Sequence, residues 1–250
     1  MSTALKLTKM EKTMCNSASH THDHDHDHDH SHVSVVENIM NQNDLLARHN
    51  QKLLDASGIF AINIMASPGA GKTSVILKII EELSDRYKIA VIEGDTAPVT
   101  IDADKIVAAG VPATQINTGG NCHLDAHMMM HGLDALDLKG VDLLIVENVG
   151  NLVCPAGVAL GTHANVVIAS IPEGDDKPYK YPNIYRGIDV ILMNKIDLLP
   201  YVDFDMDYFV TGLEMLNPGL TSFPVSAKTS EGIDGFAGWL EARILEKRAA

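Results

Sequence analysis

Three cysteines in 250 residues are too few for a disulfide framework. Cys15, Cys122 and Cys154 are therefore expected as free thiols or metal ligands in a reducing cytoplasm. Basic residues are in deficit. Lys and Arg number 19 against 33 Asp and Glu, a formal charge of −14. Such a chain repels the phosphate backbone, so non-specific nucleic-acid binding is disfavoured. No apolar run reaches the length that spans a bilayer, which argues against a membrane role. The start, MSTALKLTKMEKTMC, carries lysines but lacks the apolar centre of a secretory signal.

What is present is a strand–turn–helix signal at residues 61–74, AINIMASPGAGKTS. The apolar run from Ile59 to Ala66 reads as a buried parallel strand. It stops at Ser67-Pro68-Gly69-Ala70-Gly71, and Lys72-Thr73-Ser74 opens an amphipathic helix to about Arg86. Gly69 and Gly71 let the backbone aim its N–H groups at an anion, and the helix N-terminus adds positive charge. Lys72 can reach the β- and γ-phosphates of a nucleotide, and the Thr73 hydroxyl can bind Mg²⁺. The strict pattern G-x-x-x-x-G-K-[ST] asks for glycine where Ala66 stands. The flanking strand and helix still identify a phosphate-binding loop.

The remaining length suits one α/β domain with a sizeable core, expected over residues 33–250. Residues 1–32 are expected as a disordered leader and tail. In the tail His20, His22, His24, His26, His28, His30 and His32 alternate with Thr21, Asp23, Asp25, Asp27, Asp29 and Ser31. Nothing there can bury a core. Imidazoles without fixed geometry would bind several Ni²⁺, Zn²⁺ or Cu²⁺ ions weakly. A solvated spacer or a purification tag would have a similar composition. Residues 33–56 carry apolar positions at helical spacing. Strands are expected at 88–93, 113–117, 141–147, 164–171, 188–194 and 220–225, and helices at 102–109, 121–136, 203–216 and 231–247. The alternation predicts a mostly parallel sheet with helices on both faces, a three-layer P-loop NTPase fold of the SIMIBI GTPase class. Ligands should bind beyond the strand carboxyl ends, where the remaining motifs fall.

Asn194-Lys195-Ile196-Asp197 follows an apolar strand. In an N-K-x-D loop the aspartate accepts from the guanine N1–H and 2-amino groups, and adenine lacks that donor pair. Asn194 should brace the phosphate loop, and the Lys195 stem should lie along the base. Ser226-Ala227-Lys228 matches a loop that closes over guanine. Glu147-Asn148-Val149-Gly150 is similar to the D-x-x-G switch of GTP-binding proteins, with a carboxylate for Mg²⁺ and a glycine N–H for the γ-phosphate. Asp95 is a second candidate for Mg²⁺ or for the attacking water. Lys72, Asp95 and Glu147 are thus the catalytic candidates.

Cys122, His123 and Cys154 offer two thiolates and one imidazole, a set that suits Zn²⁺ or Ni²⁺. Buried, inert cysteines are the plain alternative. His123, His127 and His131 have i, i+4, i+8 spacing and are expected on one helix face. Cys154 follows Gly150 by four residues, at most about 13 Å of extended chain. A loop that tightens on a γ-phosphate would therefore move a metal ligand as well.

On SPGAGKT, EGD, NTGGNCHLDA, ENVGNLVCPA and NKIDLLP, the chain resembles the HypB family of GTPases, which help insert nickel into nickel–iron hydrogenases. The resemblance covers about residues 33–250. It implies slow GTP hydrolysis with Mg²⁺ on Thr73, Asp95 and Glu147, and a Ni²⁺ or Zn²⁺ site at Cys122, His123 and Cys154. It also implies a GTP-linked homodimer, a HypA-type metallochaperone as partner and a hydrogenase large-subunit precursor as recipient. The N-terminal C-x-x-C-G-C motif of some members is missing; only Cys15 stands there. The urease accessory GTPases carry Cys-Pro-His instead, so Asn-Cys-His-Leu-Asp with a second Cys-Pro favours the hydrogenase family.

Overall fold

The computed structural model describes residues 35–96 and 100–249. The expected leader and histidine tail, and Cys15, lie outside the described residues. Seven parallel strands form one sheet in the order β3-β2-β4-β1-β5-β6-β7. In chain order they are β1 (Phe60–Ala66), β2 (Ile89–Asp95), β3 (Ala113–Asn117), β4 (Leu143–Glu147), β5 (Ala164–Ser170), β6 (Val190–Asn194) and β7 (Thr221–Val225). The central strands β1 and β4 are buried throughout and mostly apolar because both faces are covered.

Alternate residues of β1 divide the core. Phe60, Ile62, Ile64 and Ala66 face α2 (Lys72–Leu83), α3 (Ile101–Ala108) and α8 (Ile233–Ala249). Ala61 faces the opposite layer, with α1 (Val35–Ala56) and α4 (Ala126–Ala135). Met65 joins α6 (Pro182–Arg186) and α7 (Met206–Leu216) farther along that side. The three-layer α/β expectation therefore holds, and every described strand pair is parallel. The α2 stripe Val75, Ile76, Ile79, Ile80 and Leu83 is buried, the spacing of an amphipathic helix.

One expected element starts late, and one stretch without an expected element is structured. The helix expected from Asn121 starts only at Ala126. The Asp125 carboxylate caps it by accepting from Met128 N, and Leu124 N is engaged by Asn148 Oδ1. Cys122 and His123 therefore sit in a turn before the helix. Residues 171–187, without a strong period, form a 3₁₀ turn and two short helices, α5 (Lys177–Lys180) and α6. On α1, Leu45 points to solvent although it belongs to the apolar set. Asn50 takes an inward position, donating to Ala126 O at 2.8 Å and Leu160 O at 3.0 Å. It ties α1 to α4 through backbone carbonyls.

Candidate functional site

The strand ends β1, β2, β4 and β6 converge on one edge. β1 runs into the phosphate loop, which turns through two left-handed glycines, Gly69 at φ 77° and Gly71 at φ 100°. A side chain at Gly71 would meet Asn194 Nδ2 at 2.6 Å, so the loop admits only glycine there. Asn194 donates to Ala70 O at 2.8 Å and accepts from Ala227 N at 3.1 Å. Lys195, left-handed at φ 67°, donates to Gly69 O at 2.7 Å. One buried asparagine thus fixes the phosphate loop against the loop that follows β7.

Beside it lies a pocket of about 290 Å³ lined by Gly71, Ser74, Asn194, Lys195, Asp197, Leu198, Ala227 and Lys228. Asp197 accepts from Ser226 Oγ at 2.7 Å, which orients the carboxylate at the pocket wall. The dimensions and the acid suit a flat, donor-bearing heterocycle.

A second pocket of about 320 Å³ opens on the other side of the loop, lined among others by Pro68, Gly69, Lys72, Glu93, Asp95, Asp102, Glu147 and Gly150. Thr73 Oγ1 donates to Glu147 Oε1 at 3.0 Å. Glu147 Oε2 and Glu93 Oε2 are buried without a hydrogen-bond partner. Burial pushes the Glu147 carboxyl up to about 7, against the pull of Lys72 and the Thr73 hydroxyl. Burial, then Glu147 and Asp95, push Glu93 up to about 8. Four carboxylates around one lysine, two of them with an orphaned oxygen, fit a divalent cation. Glu93 escaped the sequence reading. It ends an apolar stretch on β2, but only the β2–β4 register sets it directly opposite Glu147.

The third cluster is Cys122, His123 and Cys154, whose ligand atoms lie within 4.8 Å of one another. Cys122 Sγ stands 3.7 Å from His123 Nδ1. A hydrogen bond to Cys154, then burial, raise the Cys122 thiol pKa. Asn151 Oδ1 accepts from Cys154 N at 3.1 Å and from Val153 N at 2.7 Å, shaping the turn that presents Cys154. Soft thiolates with an imidazole match Ni²⁺ or Zn²⁺. His123 does not share a helix face with His127 and His131, because α4 begins after it. The latter two approach each other, Nε2 to Nε2, at 3.2 Å on the exposed face of α4. Met129 is buried in the core while Met128 only packs against it.

Residues 60–224 match the model of the CobW/HypB/UreG nucleotide-binding domain. The hydrogenase maturation factor HypB of Rhizobium leguminosarum is 44% identical over 84% of this chain and 70% of its own length. The chain belongs to the HypB family. HypB of Escherichia coli K12 is 40% identical over 82% of this chain and 71% of that protein. Among solved structures, HypB from Helicobacter pylori in complex with nickel superposes with a TM-score of 0.78 at 36% identity. It covers 83% of this chain and 97% of that one. HypB from Archaeoglobus fulgidus follows with TM-score 0.76, also at 36% identity, over 82% of this chain and 99% of that one. The resemblance read from NCHLDA and ENVGNLVCPA is thereby borne out, as are the P-loop NTPase fold and nucleotide-binding character of the HypB family. No helix of the described residues is long and apolar enough to cross a membrane.

Proposed function

We propose that this chain is a GTP-hydrolysing nickel carrier of hydrogenase maturation, whose nucleotide state sets its hold on the Cys122–His123–Cys154 site. One observation carries the reading: the thiolate–imidazole cluster shares a sheet edge with the phosphate loop. Gly150 packs on Pro68, and Cys154 stands only four residues farther on. The curated relatives named hydrogenase maturation factors, and the Helicobacter pylori structure with nickel, support nickel as the cargo.

In this reading the N–H groups of residues 69–74 cradle the phosphates, with Lys72 on the β- and γ-phosphates. Thr73, Asp95 and Glu147 hold Mg²⁺, which when bound neutralises charge on the phosphate oxygens. Guanine fills the pocket beside Asn194, Lys195, Ser226, Ala227 and Lys228, with Asp197 accepting from N1–H and the 2-amino group. Asp95, at the rim, orients the attacking water. Water adds to the γ-phosphorus as the bond to the β–γ bridging oxygen breaks, giving GDP and phosphate. Gly150 N–H senses the γ-phosphate, so the segment toward Cys154 differs between the GTP and GDP states. By linkage, nickel must change nucleotide affinity by the same factor. Three ligands leave a coordination position open, which a second copy in a GTP-linked homodimer can fill. Hydrolysis is slow and regulatory, zinc competes for the thiolates, and a HypA-type metallochaperone passes the ion toward the hydrogenase precursor. The action is cytoplasmic, and the histidine tail buffers the ion locally.

The test titrates nickel into the full chain with the tail histidines replaced by asparagine, under GDP and under a non-hydrolysable GTP analogue. The reading expects different nickel affinities in the two states and loss of the tight site in Cys122→Ala. Equal affinities would detach metal from nucleotide. Unchanged nickel loading and release in Lys72→Ala would point to storage instead.

A further inference from the structure

The turn carrying Cys122 and His123 is fastened on both flanks. On one side Thr118 N donates to Asp95 O at 2.9 Å, and Thr118 Oγ1 donates to Asn121 O at 2.7 Å. On the other side Leu124 is fully buried. Its N–H donates to Asn148 Oδ1 at 3.0 Å. Its side chain presses on Gly94: a Cβ there would lie 2.7–2.8 Å from Leu124 Cγ, Cδ1 and Cδ2. Gly94 stands between Glu93 and Asp95. The metal-bearing turn is therefore keyed directly into the two strand ends that carry the acidic pocket.

Asn148 is 1% exposed, and nothing in the chemistry described so far employs its amide. Its Oδ1 also accepts from Val149 N at 2.9 Å, and its backbone N–H donates to Ile64 O at 2.9 Å. Its Nδ2 donates to Asn63 Oδ1 at 3.1 Å, and Asn63 Nδ2 donates to Asn165 Oδ1 at 3.1 Å. Three asparagines thus bridge the end of β4, β1 and β5. A buried polar chain of this kind holds one arrangement firmly, because any other leaves amides unpaired. The segment beyond Asn148 is held differently. Gly150 rests on the exposed Pro68, Leu152 is buried on the α6–α7 side away from Leu124, and Val153 is 62% exposed.

We propose that Asn148 and Leu124 are positioning residues that make Cys122 and His123 a fixed jaw, against which Cys154 moves with residues 150–154. The inference rests on the nucleotide–nickel linkage proposed above and names how it is transmitted. Motion of Gly150 alters the metal site only if the opposing ligands are held still. The Asn148 amide and the Leu124–Gly94 contact hold them to the magnesium-side strand ends. Without the anchor the Cys122–His123 turn follows Cys154, and the site binds the ion equally in both nucleotide states.

The experiment compares nickel dissociation constants under GDP and under a non-hydrolysable GTP analogue in the full chain with tail histidines replaced. Wild type, Asn148→Ala, Asn148→Asp and Leu124→Ala are measured together. Asn148→Ala is expected to keep tight nickel and nucleotide binding while the ratio of the two nickel constants falls to within about twofold of one. Asn148→Asp keeps an oxygen acceptor for Leu124 N–H but loses the donor to Asn63 Oδ1, so its ratio is expected to lie between those of the wild type and Asn148→Ala. Leu124→Ala keeps that bond but removes the wedge on Gly94, and its ratio is expected to fall; it decides the matter if Asn148→Ala does not fold. A wild-type ratio persisting in Asn148→Ala, or in Leu124→Ala where the first fails to fold, overturns the anchor and leaves the linkage standing. A ratio of one in the wild type removes the linkage itself, and the anchor with it.

Discussion

At the scale of single residues, Asp197 and Glu93 carry the sharpest expectations. Asp197 is held at the wall of its pocket by Ser226. In Asp197→Asn an amide N–H replaces one acceptor oxygen, which suits a carbonyl at C2 of the base rather than an amino group. Competition binding should show loss of GTP affinity by at least about tenfold and a gain for xanthosine triphosphate. Undiminished GTP binding would remove Asp197 from base recognition. Glu93 and Glu147 are acids whose folded values are raised to about 8 and about 7. The folded state then holds more protons than the unfolded state between the ordinary carboxyl range and those values. The contribution of these two groups to stability is therefore greatest below that window and falls as pH rises through it. Thermal melts of the nucleotide- and magnesium-free chain should drop from pH 5.5 to pH 8.5, and Glu93→Gln should flatten the slope. A melt that rises over this range would contradict the burial assigned to the pair.

At the scale of elements, loops lock helices to the sheet. Gly161 has φ 93°, and a Cβ there would collide with Ala47 O of α1 and approach Asn50 Cβ at 2.8 Å. Gly161→Ala should therefore cost at least roughly 1–3 kcal/mol, seen as a lower denaturation midpoint with α1 displaced. An unchanged midpoint would show that α1 is not seated there. The cap of α4 illustrates why boundaries were less legible than elements. Periodicity carries Asn121–Leu136 as one helix, since apolar spacing continues through Leu124. The competing partner comes from just beyond β4: Asn148 takes the Leu124 N–H, and the helix starts after Asp125. That exchange frees Cys122 and His123 to face Cys154.

At the scale of the whole molecule, the Cys122–His123–Cys154 cluster offers three ligand atoms from one chain. Light scattering with a non-hydrolysable GTP analogue and Mg²⁺ should show a dimer. The same chain with GDP, and Lys72→Ala with either nucleotide, should remain monomeric. A nucleotide-independent mass would separate assembly from the switch.

Residue order alone determined much of this protein. The strand–glycine–Lys-Thr–helix run, the Asn194–Asp197 loop and the alternation of apolar strands with amphipathic helices are local patterns, and local backbone preferences enforce them. The fold class followed from these, and the family from them together with NTGGNCHLDA and ENVGNLVCPA. Tertiary structure decided what depends on which strands are neighbours. Glu93 faces Glu147 because β4 lies between β2 and β1 in the sheet. Cys122 and His123 meet Cys154 because one turn packs on Gly94 and another leaves the end of β4. The Asn63–Asn148–Asn165 chain lies across three strands distant in sequence. Periodicity records whether a side chain faces inward. It does not record which inward-facing side chain it will meet, since that is set by strand order and register.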